Sequence, residues 1–331
     1  MGHVILPLIT QVAILFIMMI PGYLMKRCRL AGDGFGKGLS NLVLYIAQPA
    51  LIVSAYLDYR GDGSVWTGAL WVFILSMVAH GLFTLVALLL FRGAEDGKRR
   101  MLRLMTVFSN AAFMGIPLID AILGAEATIY ASIYNISFNL FLWSLGVYLC
   151  TARRDEDGDG IPDGEVKPRY PISPLRILVH PVILASFLGV AFLALGVGEH
   201  LPELVTDSLT MLKNLVAPLS MVVIGLRIAD VSFRGAFRDK YLYLFLGLRH
   251  AILPLAMLLI MVLLSLVGIP LGETVTTVIL LLAATPAATS ATMFAEKYDC
   301  DAVYTSRAVV VSTLVSIVTM PLIVLLASAI L

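Results

Sequence analysis

The sequence predicts an all-α polytopic membrane protein, with ten transmembrane helices arranged as two inverted five-helix repeats and broken crossover helices four and nine. Three observations predict it. The chain of 331 residues is 60% hydrophobic, where an ordinary soluble domain is about 45–50% apolar. Its charges gather in short runs between apolar stretches of about 20 residues, the length that spans a hydrocarbon core. Lys and Arg fall on alternate connections with few exceptions. A membrane β-barrel would instead alternate polar and apolar residues over segments of about ten. The net charge of +1 points to no nucleic-acid partner. Cys28, Cys150 and Cys300 lack metal-ligand spacing, so neither a zinc site nor a disulfide framework is expected.

The elements follow in order. The first apolar run, 4–25, has no small-residue cleavage site and reads as a membrane helix, not a removed signal peptide. The second, 38–57, carries Pro49 at its centre, and the third, 66–91, holds His80. The fourth, 101–124, contains "SNAAFMGIPLIDAILG" (109–124), which puts Asn110, Gly115, Pro117, Asp120 and Gly124 into one membrane segment. The fifth, 127–151, repeats Asn135, Asn139 and Trp143 every fourth residue, so the three share a face. A polar linker then divides the chain into a first repeat at 1–151, a cytoplasmic linker at 152–177 and a second repeat at 178–331. The second repeat holds apolar runs at 178–198, 204–229, 240–268, 274–296 and 301–330.

Orientation comes from the cations. With the N-terminus outside, 20 of the 23 Lys and Arg fall on inside connections and only Arg60 on an outside one; Lys213 and Arg249 lie within helices. The positive-inside rule then places both termini outside. Because five is odd, the second half starts from the opposite side, and similar halves are inverted. The halves echo one another. "SNLVLYIAQPALIVSAYL" in the second segment matches "LKNLVAPLSMVVIGLRI" in the seventh, Pro117 matches Pro286, and "EATIYAS" matches "DAVYTS".

Proline inside a helix removes one hydrogen bond and costs about 3 kcal/mol, and the freed carbonyls cannot face lipid. Two such breaks at matching places in inverted halves can meet near the midplane, with half-helix ends around a substrate. The candidate substrate-binding residues are Asn110, Gly115, Pro117, Thr285, Pro286 and Thr289, with Asn135 and Asn139 on the polar face of helix five. The plainer readings are a simple proline kink and interhelical hydrogen bonding. Asp120 and His80 are candidate proton carriers. Against that, Asp120 also fits a solvated helix end and His80 a packing histidine. Arg249 and Lys213 suit an anion and equally suit snorkelling to an interface. In the linker, Asp155, Asp157, Asp159 and Asp163 stand at the offsets of a calcium loop. Val166 occupies the place of the bidentate Glu, so the stretch reads as a solvated acidic linker, and no cofactor or structural metal is expected.

These segments resemble the auxin efflux carrier family, which holds plant PIN-type exporters and bacterial carriers proposed for dicarboxylates such as malate and malonate. "SNAAFMGIPLIDAILG" is similar to that family's Asn-x(4)-Gly-x-Pro-Leu segment, "TPAATSATMFAEKYDCDAVYTS" to its second crossover, and "HPVILASFLGVAFLALG" to the start of its second half. The resemblance implies a fold like that of bile-acid sodium symporters. Helices one, two, six and seven would form a scaffold and dimer surface, and the other six a moving transport unit. Asn110 and Pro117 carry over by position, and Asn139 falls where plant relatives have a polar residue. Asp120 departs from the pattern, since plant relatives have a basic residue there. The long plant-type cytoplasmic loop is missing, so its control by phosphorylation does not carry over.

The expected function is a secondary transporter of a small organic anion, such as auxin or a dicarboxylate, working by elevator-like alternating access. The expected partners are the anion, H⁺ or Na⁺, the lipid bilayer and a second copy of the chain in a homodimer, in a bacterial or archaeal cytoplasmic membrane. The alternatives are a sodium- or proton-coupled symporter of another organic solute, or a channel or receptor on the same scaffold. With no HExxH motif and no convincing intramembrane aspartate pair, an enzyme is not expected.

Overall fold

The computed structural model describes residues 4–32, 34–61, 63–151, 179–233, 238–269 and 271–330. Every element of any length among them is a helix. They are α1 (Ile5–Arg27, turning at Met18), α2 (Phe35–Asp58), α3 (Ser64–Leu89), α4 (Asp96–Val107), α5 (Ala111–Thr151), α6 (Pro181–Ala194), α7 (Glu203–Asp230), α8 (Lys240–Leu266), α9 (Glu273–Ala284), α10 (Ser290–Lys297) and α11 (Ala302–Ile330). Seven of these (α1, α2, α3, α5, α7, α8 and α11) are long and apolar enough to cross a membrane, while α6 and α9 are shorter apolar helices. The chain is therefore an integral membrane protein of the helical, polytopic kind.

Several predicted segments are drawn differently in the structure. The fourth is not one helix: α4 stops at Val107, and the chain resumes helical geometry only at Ala111. The ninth is likewise two helices, α9 and α10. The fourth and fifth run together in α5, whose 41 residues would extend about 60 Å at 1.5 Å per residue, twice the thickness of a hydrocarbon core. Gly124 prevents that overshoot. Its φ of 76° and ψ of −157° lie where side-chain-bearing residues are strained, and they divide α5 into limbs 111–123 and 125–151.

Three prolines share one local device. A five-residue π turn precedes each by two positions: Val43–Ala47 before Pro49, Ala111–Gly115 before Pro117, and Leu248–Ile252 before Pro254. A proline ring clashes with the carbonyl four residues back and offers no N–H. Widening the turn by one residue relieves both problems without ending the helix.

Two groupings of helices follow from the packing. α1 lies directly on α7, backbone against backbone. A Cβ built on Gly22 would stand 2.1 Å from Val222 O, and one on Gly225 would stand 2.0 Å from Met19 O. Small residues at such crossings let membrane helices approach closely. α2 packs on α6 and α7, and α9 sits among α3, α5, α8 and α11. Every residue of α9 from Val275 to Ala284 is buried, as expected for a helix that is apolar all round. The apolar side chains of α1, including Leu6, Ile9, Ile17 and Ile20, are exposed and suit lipid.

Candidate functional site

The two helix breaks meet. Ser109 and Ala287 form an isolated antiparallel bridge. Asn110 N donates to Pro286 O at 2.7 Å, and Ala288 N donates to Phe108 O at 2.9 Å. The non-helical residues of each break thus satisfy part of the other's backbone, which lipid cannot do. Ser312 of α11 secures the second break from behind. Its hydroxyl accepts from Ala287 N at 3.0 Å and lies 2.9 Å from His250 Nε2.

The carbonyls that the prolines free are each accounted for. In the π turn at Ala111–Gly115, Ile116 N bonds to Ala111 O. The next donor along would serve Ala112 O, but it is Pro117. Gln48 Nε2, from α2, takes that carbonyl instead at 2.9 Å. In α9 the missing N–H of Pro286 would have served Leu282 O. Thr285 Oγ1 donates there at 2.8 Å. Three further carbonyls at the helix ends go to Arg249, which is 0% exposed. Its Nε donates to Thr285 O (3.1 Å), its Nη2 to Ala283 O (2.6 Å) and its Nη1 to Thr106 O (3.2 Å). One guanidinium therefore caps the C-terminal, partly negative ends of both α4 and α9. The planar fork of arginine suits three divergent acceptors as lysine would not.

The opposite polarity faces the same region from the other halves. α5 and α10 begin just past the breaks, so their positive N-terminal ends lie beside the bridge. Asn110 O accepts from Met114 N and Gly115 N, both at 3.1 Å. Its side-chain Oδ1 accepts from Thr289 Oγ1 at 3.4 Å. Its Nδ2 has no partner although the residue is only 2% exposed. A buried donor without an acceptor costs about 1–3 kcal/mol.

The structure brings six predicted residues, Asn110, Gly115, Pro117, Thr285, Pro286 and Thr289, to this crossing. At Gly115 a Cβ would stand 2.6 Å from Leu282 Cδ2, so the small residue lets α5 approach α9. Asn135 and Asn139 are buried on the second limb of α5, with Asn139 Nδ2 donating to Asn135 O at 2.8 Å. Asp120 is half-buried near Gly124 and accepts from Thr128 Oγ1 at 3.1 Å across the kink. His80 donates from Nδ1 to Ser76 O (2.7 Å), which leaves Nε2 as an unpartnered acceptor. The rings of Phe108, Tyr134, Phe138 and Phe141 surround it at centroid distances of 5.2–6.0 Å. Lys213 stands apart from the crossing and pairs with Asp58 at 3.4 Å. Asp155, Asp157, Asp159 and Asp163 lie outside the described residues. Among the described residues no cluster of three or more His, Cys, Asp or Glu has the makings of a metal site.

Sequence reading missed Gln48 and Arg227. Gln48 sits one residue before Pro49, a position where a polar side chain inside an apolar run is itself a signal. Arg227 counted only as an inside charge, yet its Nη1 donates to Thr289 O at 3.0 Å and to Thr292 Oγ1.

Residues 7–324 match the model of a family described as membrane transport protein. An uncharacterised transporter of Methanothermobacter thermautotrophicus is 27% identical over 308 residues, which is 92% of this chain and 94% of that protein. An uncharacterised transporter of Methanocaldococcus jannaschii is 22% identical over 231 residues, 68% of this chain and 71% of that protein.

Proposed function

The chain belongs to the membrane transport protein family, the family of the auxin efflux carriers, and on that premise we propose that it is a secondary transporter of a small organic anion. The observation that carries this reading is the pairing of the two breaks, Asn110 with Pro286 and Phe108 with Ala288. It gathers two positive half-helix ends and an unused amide donor beside one buried bridge. An anion bound there exchanges water for fixed dipoles.

In this reading the chain holds ten spans in two inverted repeats, at 1–151 and 178–331, joined by a cytoplasmic linker at 152–177. α4 with the first limb of α5 makes the fourth span, and α9 with α10 makes the ninth. α1, α2, α6 and α7 form the scaffold and the dimer surface. The remaining helices carry the anion across by an elevator-like movement. Substrate contacts come from Asn110, Thr289 and the Asn135–Asn139 face. Both termini lie outside. Arg249 acts from behind the site as a fixed positive charge, and Asp120 or His80 would carry a proton if transport is proton-coupled.

Flux into proteoliposomes tests the proposal. Saturable, counterflow-competent uptake of a labelled carboxylate is the expected result, with H⁺ or Na⁺ coupling read from its dependence on imposed gradients. Unsaturable ion current would instead indicate a channel.

A further inference from the structure

Thr289 is the N-cap of α10, and its side chain makes no capping bond to that helix end, where Ala291 N donates to Ala288 O at 3.1 Å. Besides Thr292, whose Oγ1 donates to the Thr289 carbonyl from the first turn at 2.9 Å, two side chains from other helices converge on Thr289. Asn110 accepts its hydroxyl at 3.4 Å, and Arg227 donates to its carbonyl at 3.0 Å. The second contact is unusual on physical grounds, because a helix N-terminus is the positive end and repels a cation. A guanidinium held there is stabilised when an anion joins it. Arg227 also bonds Thr292 Oγ1 from the same nitrogen, Nη1. Among the described residues its Nε and Nη2 make no hydrogen bond, and the residue is only half-buried. The carboxylate that acts on it electrostatically, Glu296, is exposed near the far end of α10. Three groups are thus grouped about one residue: a guanidinium with two free nitrogens, a helix end to which its N-cap side chain makes no capping bond, and the unpartnered Nδ2 of a 2%-exposed asparagine.

We propose that Arg227 is the charge-selecting residue of the site and binds the carboxylate of the transported anion at the N-cap of α10, together with Asn110 Nδ2. Nε and Nη2 form the planar pair of donors that matches the two oxygens of a carboxylate. The inference rests on the reading of the chain as an organic-anion carrier. It adds that the substrate is recognised by a full charge as well as by helix dipoles, and that the charge comes from α7, the helix packed on α1, while Asn110 and Thr289 belong to the breaks. Bound carboxylate would therefore bridge the two groups of helices.

The experiment uses the full chain in proteoliposomes, with benzoate, indole-3-acetate, malonate and glutarate as labelled probes. The corresponding neutral amides serve as competitors. Wild type is expected to take up at least one carboxylate and to prefer it over its amide. Arg227→Gln should raise the KM for that carboxylate about ten- to hundredfold, the worth of a hydrogen bond to a charged group, and should erase the preference over the amide. Arg227→Lys, which keeps the charge but not the fork, should restore part of the preference. If Arg227→Gln leaves KM and preference unchanged, or lowers uptake while the preference persists, Arg227 is only a tether and the inference fails. If wild type carries none of the four probes, the organic-anion reading itself fails.

Discussion

At Arg249 a single guanidinium holds three backbone carbonyls that belong to two different helices. Its replacement by Met would keep the volume and orphan all three acceptors. An unpaired buried acceptor costs about 1–3 kcal/mol, so Arg249→Met should lower stability by about 3 kcal/mol or more. Arg249→Lys should fall between, because one ammonium cannot reach three divergent acceptors. Melting of the purified protein in detergent measures this, and an unchanged Tm for Arg249→Met would show that water or other donors replace the guanidinium. A second residue-scale prediction lies outside the spans. Asp239, at the start of α8, pairs with Lys98 and accepts Tyr241 N at 3.0 Å. Burial pushes its carboxyl up, but the Lys98 ammonium and the Tyr241 amide outweigh it and hold the group below the ordinary carboxylate value. A depressed folded value means the stabilisation is present above the unfolded pKa, about 3.9, and is lost as pH falls through the folded one. Asp239→Asn should therefore lower Tm at pH 7 by the equivalent of at most about 1 kcal/mol, since the pair is partly solvated. The difference should close as pH falls through the depressed folded value, and a pH-independent difference would assign the effect to packing. Residues that are polar in an apolar run, such as Asn110 and Asn139, were legible in the sequence. Arg249's acceptors were not, because they are backbone atoms brought together only by the fold.

At the scale of elements, the prolines were legible and the breaks were not placed by them. Pro117 marks the fourth segment, yet the helix opens at Phe108–Asn110, seven or more residues earlier. The reason is that the π turn Ala111–Gly115 absorbs the ring and Gln48 takes the carbonyl that Pro117 leaves without a donor, so the helix does not have to end at the proline. Pro286 does lie inside its break. The two prolines thus act differently: one frees Ala112 O for Gln48 and the other frees Leu282 O for Thr285. Pro117→Ala with Pro286→Ala would return both N–H groups, which would compete with Gln48 for Ala112 O and with Thr285 for Leu282 O and so disturb the contacts that hold the crossing. The double variant should insert normally and lose transport, and full retained flux would remove the crossing from the mechanism. The α1–α7 crossing gives another prediction. A Cβ at Gly22 or Gly225 meets backbone oxygen at about 2 Å, which no rotamer can relieve. Gly225→Leu should therefore force the helices apart and destabilise the fold by about 1–3 kcal/mol or more, read as a lower Tm. An unaffected Tm would mean that α1 and α7 are free to separate. The two glycines stand in runs the sequence marked only as apolar, because closeness between distant helices leaves no local pattern.

For the whole molecule, the most informative pattern in the sequence is the distribution of its cations. Charge placement is decided at insertion, when each basic connection is retained on the inside, so it reports topology before any packing forms. That is why the expectation of ten spans with both termini outside rests on Arg and Lys, while the helices themselves are drawn in the structure as one 41-residue element here and two short ones there. A native probe is available to test the orientation. Cys28 is exposed at the turn after α1, whereas Cys150 is buried and Cys300 partly so. Lys26 and Arg27 end α1 and Arg29 follows Cys28, a cluster that the positive-inside rule assigns to the cytoplasm. A membrane-impermeant maleimide should therefore label Cys28 in inverted membrane vesicles and not in intact cells or right-side-out vesicles. In a chain with Cys28→Ser, the single substitution Arg60→Cys should reverse that pattern, because Arg60 lies on the opposite connection between α2 and α3. Labelling of both positions from the same side would break the alternation across α2. That would put an even number of crossings between positions that ten spans in inverted halves require to be separated by one.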